Sequence, residues 1–356
     1  MHLFLILLWI AIAISLRFTN LDTKSIWTDE FSTLVFSLGN SFLTIPLDQP
    51  MSLDQLLAPL QPSPQATAGS VIHHLLKESN HPPFYFWLTH YWLKLFPPVD
   101  GFVSLWVARA LSAILGVLAV PATYCLGWLA FRSALVGHLS ALLMALSPFG
   151  IYLSQEARHY TPAILWITVS LCCMVVAAHH WREQRLVPVW LCGLWIGING
   201  LGMATHFFVA LAWATEAIAF LLFIALNAIA QSGKGLFTQA TWHTLWQKLG
   251  ISPNVMRLGT VALGTLVAGI VWLPVLQEIQ GTELTRWIQQ GEFDGSSWLD
   301  HLLRLLAGIT TMVYLLPIQG VPTRVAISSG IVVVLALVWT VPLVIRGLQI
   351  QVMQPA

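Results

Sequence analysis

Long apolar runs separated by short polar breaks recur along the whole chain. A helical bilayer crossing needs about 20 mostly apolar residues. Runs of that order lie near 1–18, 103–130, 134–153, 161–180, 187–204, 207–229, 258–277, 301–318 and 325–345. The pattern predicts an all-α polytopic membrane protein with about nine transmembrane helices. One long polar interval, 19–102, follows the first run. Inside it Pro83–Phe96 is apolar but too short to cross, carries Lys94, and is bracketed by Pro82-Pro83 and Pro97-Pro98. That predicts an interfacial helix over 83–96. Pro46–Gly69, rich in Pro, Ser, Gln and Ala, reads as an irregular flap. No alternating β-barrel pattern and no internal repeat of the transporter kind is visible.

Composition agrees with the pattern. Hydrophobic residues make up 57%, charged residues 9%, and mean hydropathy is +0.75. The net charge of +1 gives no footprint for nucleic acid. Residues 1–16 lack a basic leader and a small-residue cleavage site, so they read as a retained first helix. Cys125, Cys172, Cys173 and Cys192 all lie in apolar runs without CxxC spacing and read as inert thiols. Basic residues should gather on the cytoplasmic side. Residues 231–257 carry Lys234, Lys248 and Arg257 without an acid, whereas Glu278, Glu283, Glu292, Asp294 and Asp300 face Arg286 alone in 278–300. Threading back from there puts Arg132, Arg182 and Arg185 inside. Residues 19–102, 154–160 and 204–206 fall outside, at the extracytoplasmic face of a cell (inner or plasma) membrane. This holds only if 83–96 does not cross.

Three polar motifs converge on that outer side. Trp27-Thr28-Asp29-Glu30-Phe31 puts two adjacent carboxylates at the membrane surface. They read either as helix capping, with Thr28 as N-cap and acids in the first turn, or as a general base at Asp29 that takes a hydroxyl proton. Glu30 could bind the acceptor or a metal, or face water. In Asn80-His81-Pro82-Pro83-Phe84-Tyr85, His81 is a plain polar cap or a donor to phosphate or sugar. In Gln155-Glu156-Ala157-Arg158-His159-Tyr160, Arg158 offers bidentate geometry to phosphate, or else forms a surface pair with Glu156. His206 in Thr205-His206-Phe207-Phe208 is the weakest candidate. Arg109 and Glu216 lie inside spans and should face protein or water. The doublets His73-His74 and His179-His180 read as solvent-facing. No GxxxxGK[ST], GxGxxG, GxSxG or HExxH is present. With no βαβ unit for a nucleotide sugar, a donor would have to arrive in the membrane.

In this order and spacing the motifs resemble the GT-C glycosyltransferases. The branch is that of the dolichyl-phosphate-mannose protein mannosyltransferases, which includes the lipid A aminoarabinose transferases (the family 39/83 type). The resemblance covers about residues 1–275 and includes Arg109-Ala-Leu-Ser112. It implies a GT-C fold and a multi-span enzyme using a polyprenyl-phosphate sugar at the periplasmic or lumenal face. It maps the catalytic base onto Asp29 and site-lining residues onto His81–Pro83 and Glu156–Tyr160. Donor or acceptor binding is then expected of Glu30, His81, Glu156, Arg158 and Tyr160. A divalent cation, if present, would lie near Glu30, Glu156 or His206. Residues 1–356 are expected to form one GT-C-type domain, short of the C-terminal part such enzymes carry. The implied reaction is a single displacement with inversion, passing the sugar to a hydroxyl of a lipid, glycan or protein. A lipid or solute transporter, or an inert scaffold holding a partner subunit, are the rival readings. Gathering of the charges in outer loops disfavours the transporter.

Overall fold

The computed structural model describes residues 2–46, 49–232, 252–279, 302, 305 and 322–353. Among these there is no strand, only an isolated bridge between Val99 and Phe102. The chain divides into two compact units, Met1–Gln289 and Gln290–Ala356. Within the second, the described chain is chiefly one long helix, Thr323–Met353. The site lies in the first.

Helix α1 (His2–Phe18) leads into the long polar interval, which holds α2 (Thr28–Ser37), the short α3 (Leu53–Leu57), α4 (Ala68–Glu78) and α5 (Phe84–Leu93). α6 (Leu105–Phe131) is the hub, packing against α1, α5, α7 (Ala134–Leu146), α8 (Pro148–Ser154) and α9 (Tyr160–Arg182). α10 (Val189–Thr205) returns along α9, and α11 (Val209–Ser232) and α12 (Pro253–Ile270) complete the packing. Side-chain caps set several starts. Ser104, Ser133, Ser147 and Ser252 each accept a first-turn N–H of α6, α7, α8 and α12, and Thr67 and Ser70 form a capping box on α4.

Four helices among the described residues are long and apolar enough to cross a bilayer: α6, α9, α11 over Val209–Asn227, and α12. The bent pair α7–α8, angled by 55°, would make a fifth. α1, α10 and Thr323–Leu335 are apolar but shorter. The run expected at 301–318, Lys234 and Lys248, and most of the acidic 278–300 segment lie outside the described residues. The helix expected over 83–96 is observed as α5, shorter at both ends. At ten residues it extends about 15 Å, half a hydrocarbon core. Its Tyr85, Phe86, Thr89, His90 and Leu93 are buried, while Trp87 and Tyr91 are exposed. α5 therefore lies against the bundle without crossing.

Buried polar ties fix the helix ends near the site. Arg17, at the end of α1, is fully buried and donates to Met144 O (2.9 Å) and Ala145 O (3.0 Å), the last carbonyls of α7. Gln155 donates back to Leu16 O (3.2 Å) and Thr19 O (3.0 Å) at the end of α1. Gly116 on α6 makes this possible, because a Cβ there would sit 2.1 Å from Ser154 Oγ and 3.2 Å from Arg17 Nε. Glu216 does face protein. Its Oε2 lies 2.7 Å from Ser170 Oγ, which also accepts from Trp195 Nε1 (2.9 Å).

Two expectations about surface groups are corrected. α2 begins at Thr28 itself, with Trp27 at the N-cap and no side-chain cap, so Thr28 does not cap it. The histidine doublets are engaged rather than only facing water. His74 Nδ1 is 2.9 Å from Glu78 Oε1, His179 Nε2 2.9 Å from Leu129 O, and His180 Nδ1 2.9 Å from Val176 O.

Candidate active site

The polar start of α2, the loop before α9, the His81 turn and the His206 turn meet at one end of the bundle. With Asp29 and Glu30 in the first turn of α2, both acids sit where the helix dipole favours them. Successive residues on a helix point about 100° apart, and here the two side chains separate completely. Glu30 turns inward. It is fully buried and grips Arg109 in a bidentate pair, Nε to Oε1 and Nη2 to Oε2 at 2.7 Å each. Its Oε1 also accepts the Ala157 amide (2.8 Å). Arg109 Nη1 donates to Leu21 O and Lys24 O (2.9 Å each). One buried pair thus joins α6, α2, the turn after α1 and the loop before α9.

Asp29 turns outward, and its side chain is 49% exposed. Arg158 closes on it from behind with a side chain 3% exposed. Arg158 Nη1 donates to Asp29 O (2.9 Å) and Thr33 Oγ1 (2.7 Å). Nη2 reaches Asp29 Oδ2 and Tyr160 Oη, both at 3.3 Å. Thr33 Oγ1 in turn donates to Asp29 O (2.8 Å). The Arg158 carbonyl accepts from Ser112 Oγ (3.1 Å), which pairs with Tyr85 Oη (2.7 Å). The Trp27 and Tyr160 rings face the guanidinium at 5.7 and 5.3 Å. Arg158 Nε is buried without a partner. Nε and Nη2 form the edge a guanidinium uses for bidentate contact, so the less committed side of Arg158 is suited to an oxyanion.

Glu156 does not pair with Arg158. It is buried and bonded to Lys24, whose ammonium also lies 3.5 Å over the Tyr152 ring. Burial pulls the Lys24 pKa down, but hydrogen bonds and charge from Glu156 and Tyr152 outweigh it and the net shift is upward.

Three histidines pack behind Arg158. The His159 ring centroid lies 4.9 Å from that of His81 and 4.7 Å from that of His206. His159 is fully buried, and neither ring nitrogen has a partner. His81 Nδ1 is 3.0 Å from Ser79 Oγ, and His206 Nδ1 accepts the Phe208 amide (3.1 Å). Burial first, then the Arg158 charge, drives all three down: His81 to about 3, His206 to about 4, and His159 well below the usual range. All three are neutral at physiological pH.

Each expected site residue therefore lies in one region, but with different surroundings. Arg158 contacts both Asp29 and Tyr160. His81 joins through His159. Glu30 and Glu156 are buried in ion pairs with Arg109 and Lys24. As metal ligands Glu30, Glu156 and His206 do not fit. Both carboxylates are committed to cations, and no grouping of three or more His, Cys, Asp or Glu side chains suited to a metal occurs among the described residues. Lys24 and Thr33 lie outside the motifs read from the sequence, whereas Tyr85, Ser112 and His159 lie within them, His159 in the mapped Glu156–Tyr160 stretch. Thr33 falls four after Asp29, one turn along the same helix face, which was a readable signal. Lys24 acts across the fold and left none.

Residues 80–240 match the family model of dolichyl-phosphate-mannose-protein mannosyltransferases. That stretch holds His81, Arg109, Glu156–Tyr160 and His206; Asp29 and Glu30 precede it. The match bears out the GT-C glycosyltransferase resemblance read from the motifs. No curated protein matches the chain. Among solved structures, similarity is found to the archaeal oligosaccharyltransferase AglB of Archaeoglobus fulgidus, in complex with an inhibitory peptide and a dolichol-phosphate. There the TM-score is 0.45 and identity 14%, over 94% of this chain and 38% of that one. A second match is to an Archaeoglobus fulgidus oligosaccharyltransferase in the apo form, with a TM-score of 0.43 and 16% identity, over 100% and 39% of the two chains. The chain spans about two fifths of the length of these solved structures.

Proposed function

We propose that this chain is a membrane glycosyltransferase of the protein mannosyltransferase kind, moving a sugar from a polyprenyl-phosphate donor to a hydroxyl acceptor at the extracytoplasmic face. The observation that carries the reading is the pairing of a half-exposed Asp29 carboxylate with a buried Arg158 whose Nε is unpartnered. Asp29 takes the acceptor proton as its oxygen attacks the anomeric carbon. The bond from that carbon to the phosphate oxygen breaks on the opposite face, and the polyprenyl phosphate leaves with the electron pair. Arg158 stabilises the charge gathering on that phosphate. For its edge to reach the phosphate, the Tyr160 or Trp27 ring has to give way. Thr33 and the neutral histidines hold Arg158 in place without adding competing charge. Glu30 and Arg109 position the residues on either side of them and do not touch substrate.

The test is Asp29→Asn in membranes supplied with radiolabelled polyprenyl-phosphate sugars, following label into lipid, glycan and protein fractions. Loss of a general base costs about 10²–10⁴ in rate. Turnover near that of the parent would remove Asp29 from the role. Arg158→Lys keeps the charge but not the fork, and is expected to lower the rate further than it raises donor KM.

A further inference from the structure

The end of the bundle away from Asp29 carries an uneven set of charges. Arg132 directly follows α6, and Arg182, Glu183 and Arg185 lie at the turn from α9 to α10. His179 Nε2 donates to Leu129 O (2.9 Å), which holds the end of α9 beside the end of α6. Asn254, at the start of α12, pins the turn. Its Nδ2 donates to Arg185 O (2.8 Å) and its Oδ1 accepts the Val187 amide (2.9 Å).

Glu183 is the one carboxylate in this group, and two arginines share it. Its Oε1 faces Arg132 Nη2 at 3.9 Å and its Oε2 faces Arg185 Nη1 at 3.1 Å. The Arg132 and Arg185 side chains are 57% and 71% exposed and have no other side-chain partner among the described residues. Arg182 is exposed and forms no hydrogen bond or ion pair among the described residues. Three guanidiniums against one carboxylate leave two positive charges uncompensated. The surface beside them is apolar. Phe131 and Leu135 flank Arg132 and are 47% and 68% exposed; Leu186 and Trp190 follow Arg185 and are 53% and 66% exposed. α6 and α9 are both long and apolar enough to cross a bilayer, so their ends meet the headgroup layer. A soluble phosphate or a nucleic acid would use the charge and leave the apolar side chains in water. A molecule with an anionic head and acyl chains matches both.

We infer that this corner binds an acidic phospholipid. Its phosphate takes guanidinium contacts from Arg132 and Arg185, with the Arg182 charge alongside. Its acyl chains lie on the apolar side chains next to them. Glu183 competes with the phosphate for both guanidiniums. The surface is separate from the Asp29 site, and its binding is independent of sugar transfer.

The experiment uses the full chain in phosphatidylcholine nanodiscs containing phosphatidylglycerol with a diazirine in its acyl chain, and the matching diazirine phosphatidylcholine in parallel. Both leaflets are alike there, so the sidedness of the protein does not enter. Saturable crosslinking of phosphatidylglycerol to residues 128–135 and 186–190 is expected, above that of phosphatidylcholine. A basic side chain near an anionic surface is worth about 1 kcal/mol, or about fivefold. Arg132→Gln and Arg185→Gln should therefore each weaken apparent affinity about fivefold. Glu183→Gln removes the competing carboxylate and should tighten it, the opposite of what damage to the turn would do. Glycerol phosphate, a head without chains, should fail to displace the lipid. Four results would overturn the inference: equal labelling by phosphatidylcholine, unchanged affinity in both arginine variants, weaker binding in Glu183→Gln, or full displacement by glycerol phosphate.

Discussion

Asp29 and Glu30 are adjacent in sequence and opposite in office. The alternatives open for Glu30 were acceptor binding, a metal or water; what it meets is Arg109, 79 positions away. A bidentate partner that distant cannot be read from spacing, although Arg109 inside an apolar run did signal a buried counter-charge. Both members are fully buried, so removing one strands the other. We expect Arg109→Met to lower stability by about 3–5 kcal/mol, while Arg109→Met with Glu30→Met recovers much of that loss. Thermal unfolding in detergent across the double-mutant cycle checks this. Additive effects of the two single changes would mean the pair is not coupled. Asp29 was legible for a simpler reason: a half-exposed acid at a helix start shows itself in local sequence.

α9 shows how much of the site one element supplies. Its first residue, Tyr160, and the two before it, Arg158 and His159, bring together the guanidinium and the centre of the histidine cluster. Sequence marked the Glu-Ala-Arg-His-Tyr string and the separate His81 and His206 turns. It could not show that His159 sits between the other two, edge-on to His81 and tilted to His206, because the turns before α5 and after α10 deliver those rings from elsewhere. The cluster predicts a pH dependence. Each histidine has a folded pKa below its unfolded value near 6.5. The unfolded chain therefore binds more protons once pH drops below about 6.5, and stability falls from there until the folded pKa values, about 4 for His206 and about 3 for His81, are passed. The melting temperature should decline from pH 6.5 to 4, and His206→Asn should flatten that decline. An identical slope in the variant would show that His206 titrates alike folded and unfolded. The groups charging against it are Arg158 and, once protonated, His81 and His159.

Across the first compact unit, the helix order carries a consequence for sidedness. α6 extends about 40 Å from Ser104 to Arg132, enough to cross a bilayer. α7 and α8 return to Arg158, α9 goes out again, and α10 comes back to His206. Two contacts fix this alternation: His159 with His206 at 4.7 Å at one end, and Arg132 Nη2 with Glu183 Oε1 at 3.9 Å at the other. Arg132, Arg182 and Arg185 gather at the second end, as the hydrophobic pattern and charge count anticipated. Length and apolarity made α6, α9, α11 and α12 legible, whereas the expected count of about nine spans is not reached by that test among the described residues. The 55° break between α7 and α8 was not, since Ser147-Pro148 reads equally as a cap or a loop. The excess of basic residues at the arginine end predicts that this end is cytoplasmic and the Asp29 end outside. With the native cysteines replaced, Gln65→Cys on the exposed flap should react with a membrane-impermeant maleimide in intact cells. Arg185→Cys, 71% exposed at its side chain in the parent, should react only after permeabilisation. The reverse pattern would put the carboxylate and its arginine on the cytoplasmic face, where the extracytoplasmic transfer proposed here could not occur.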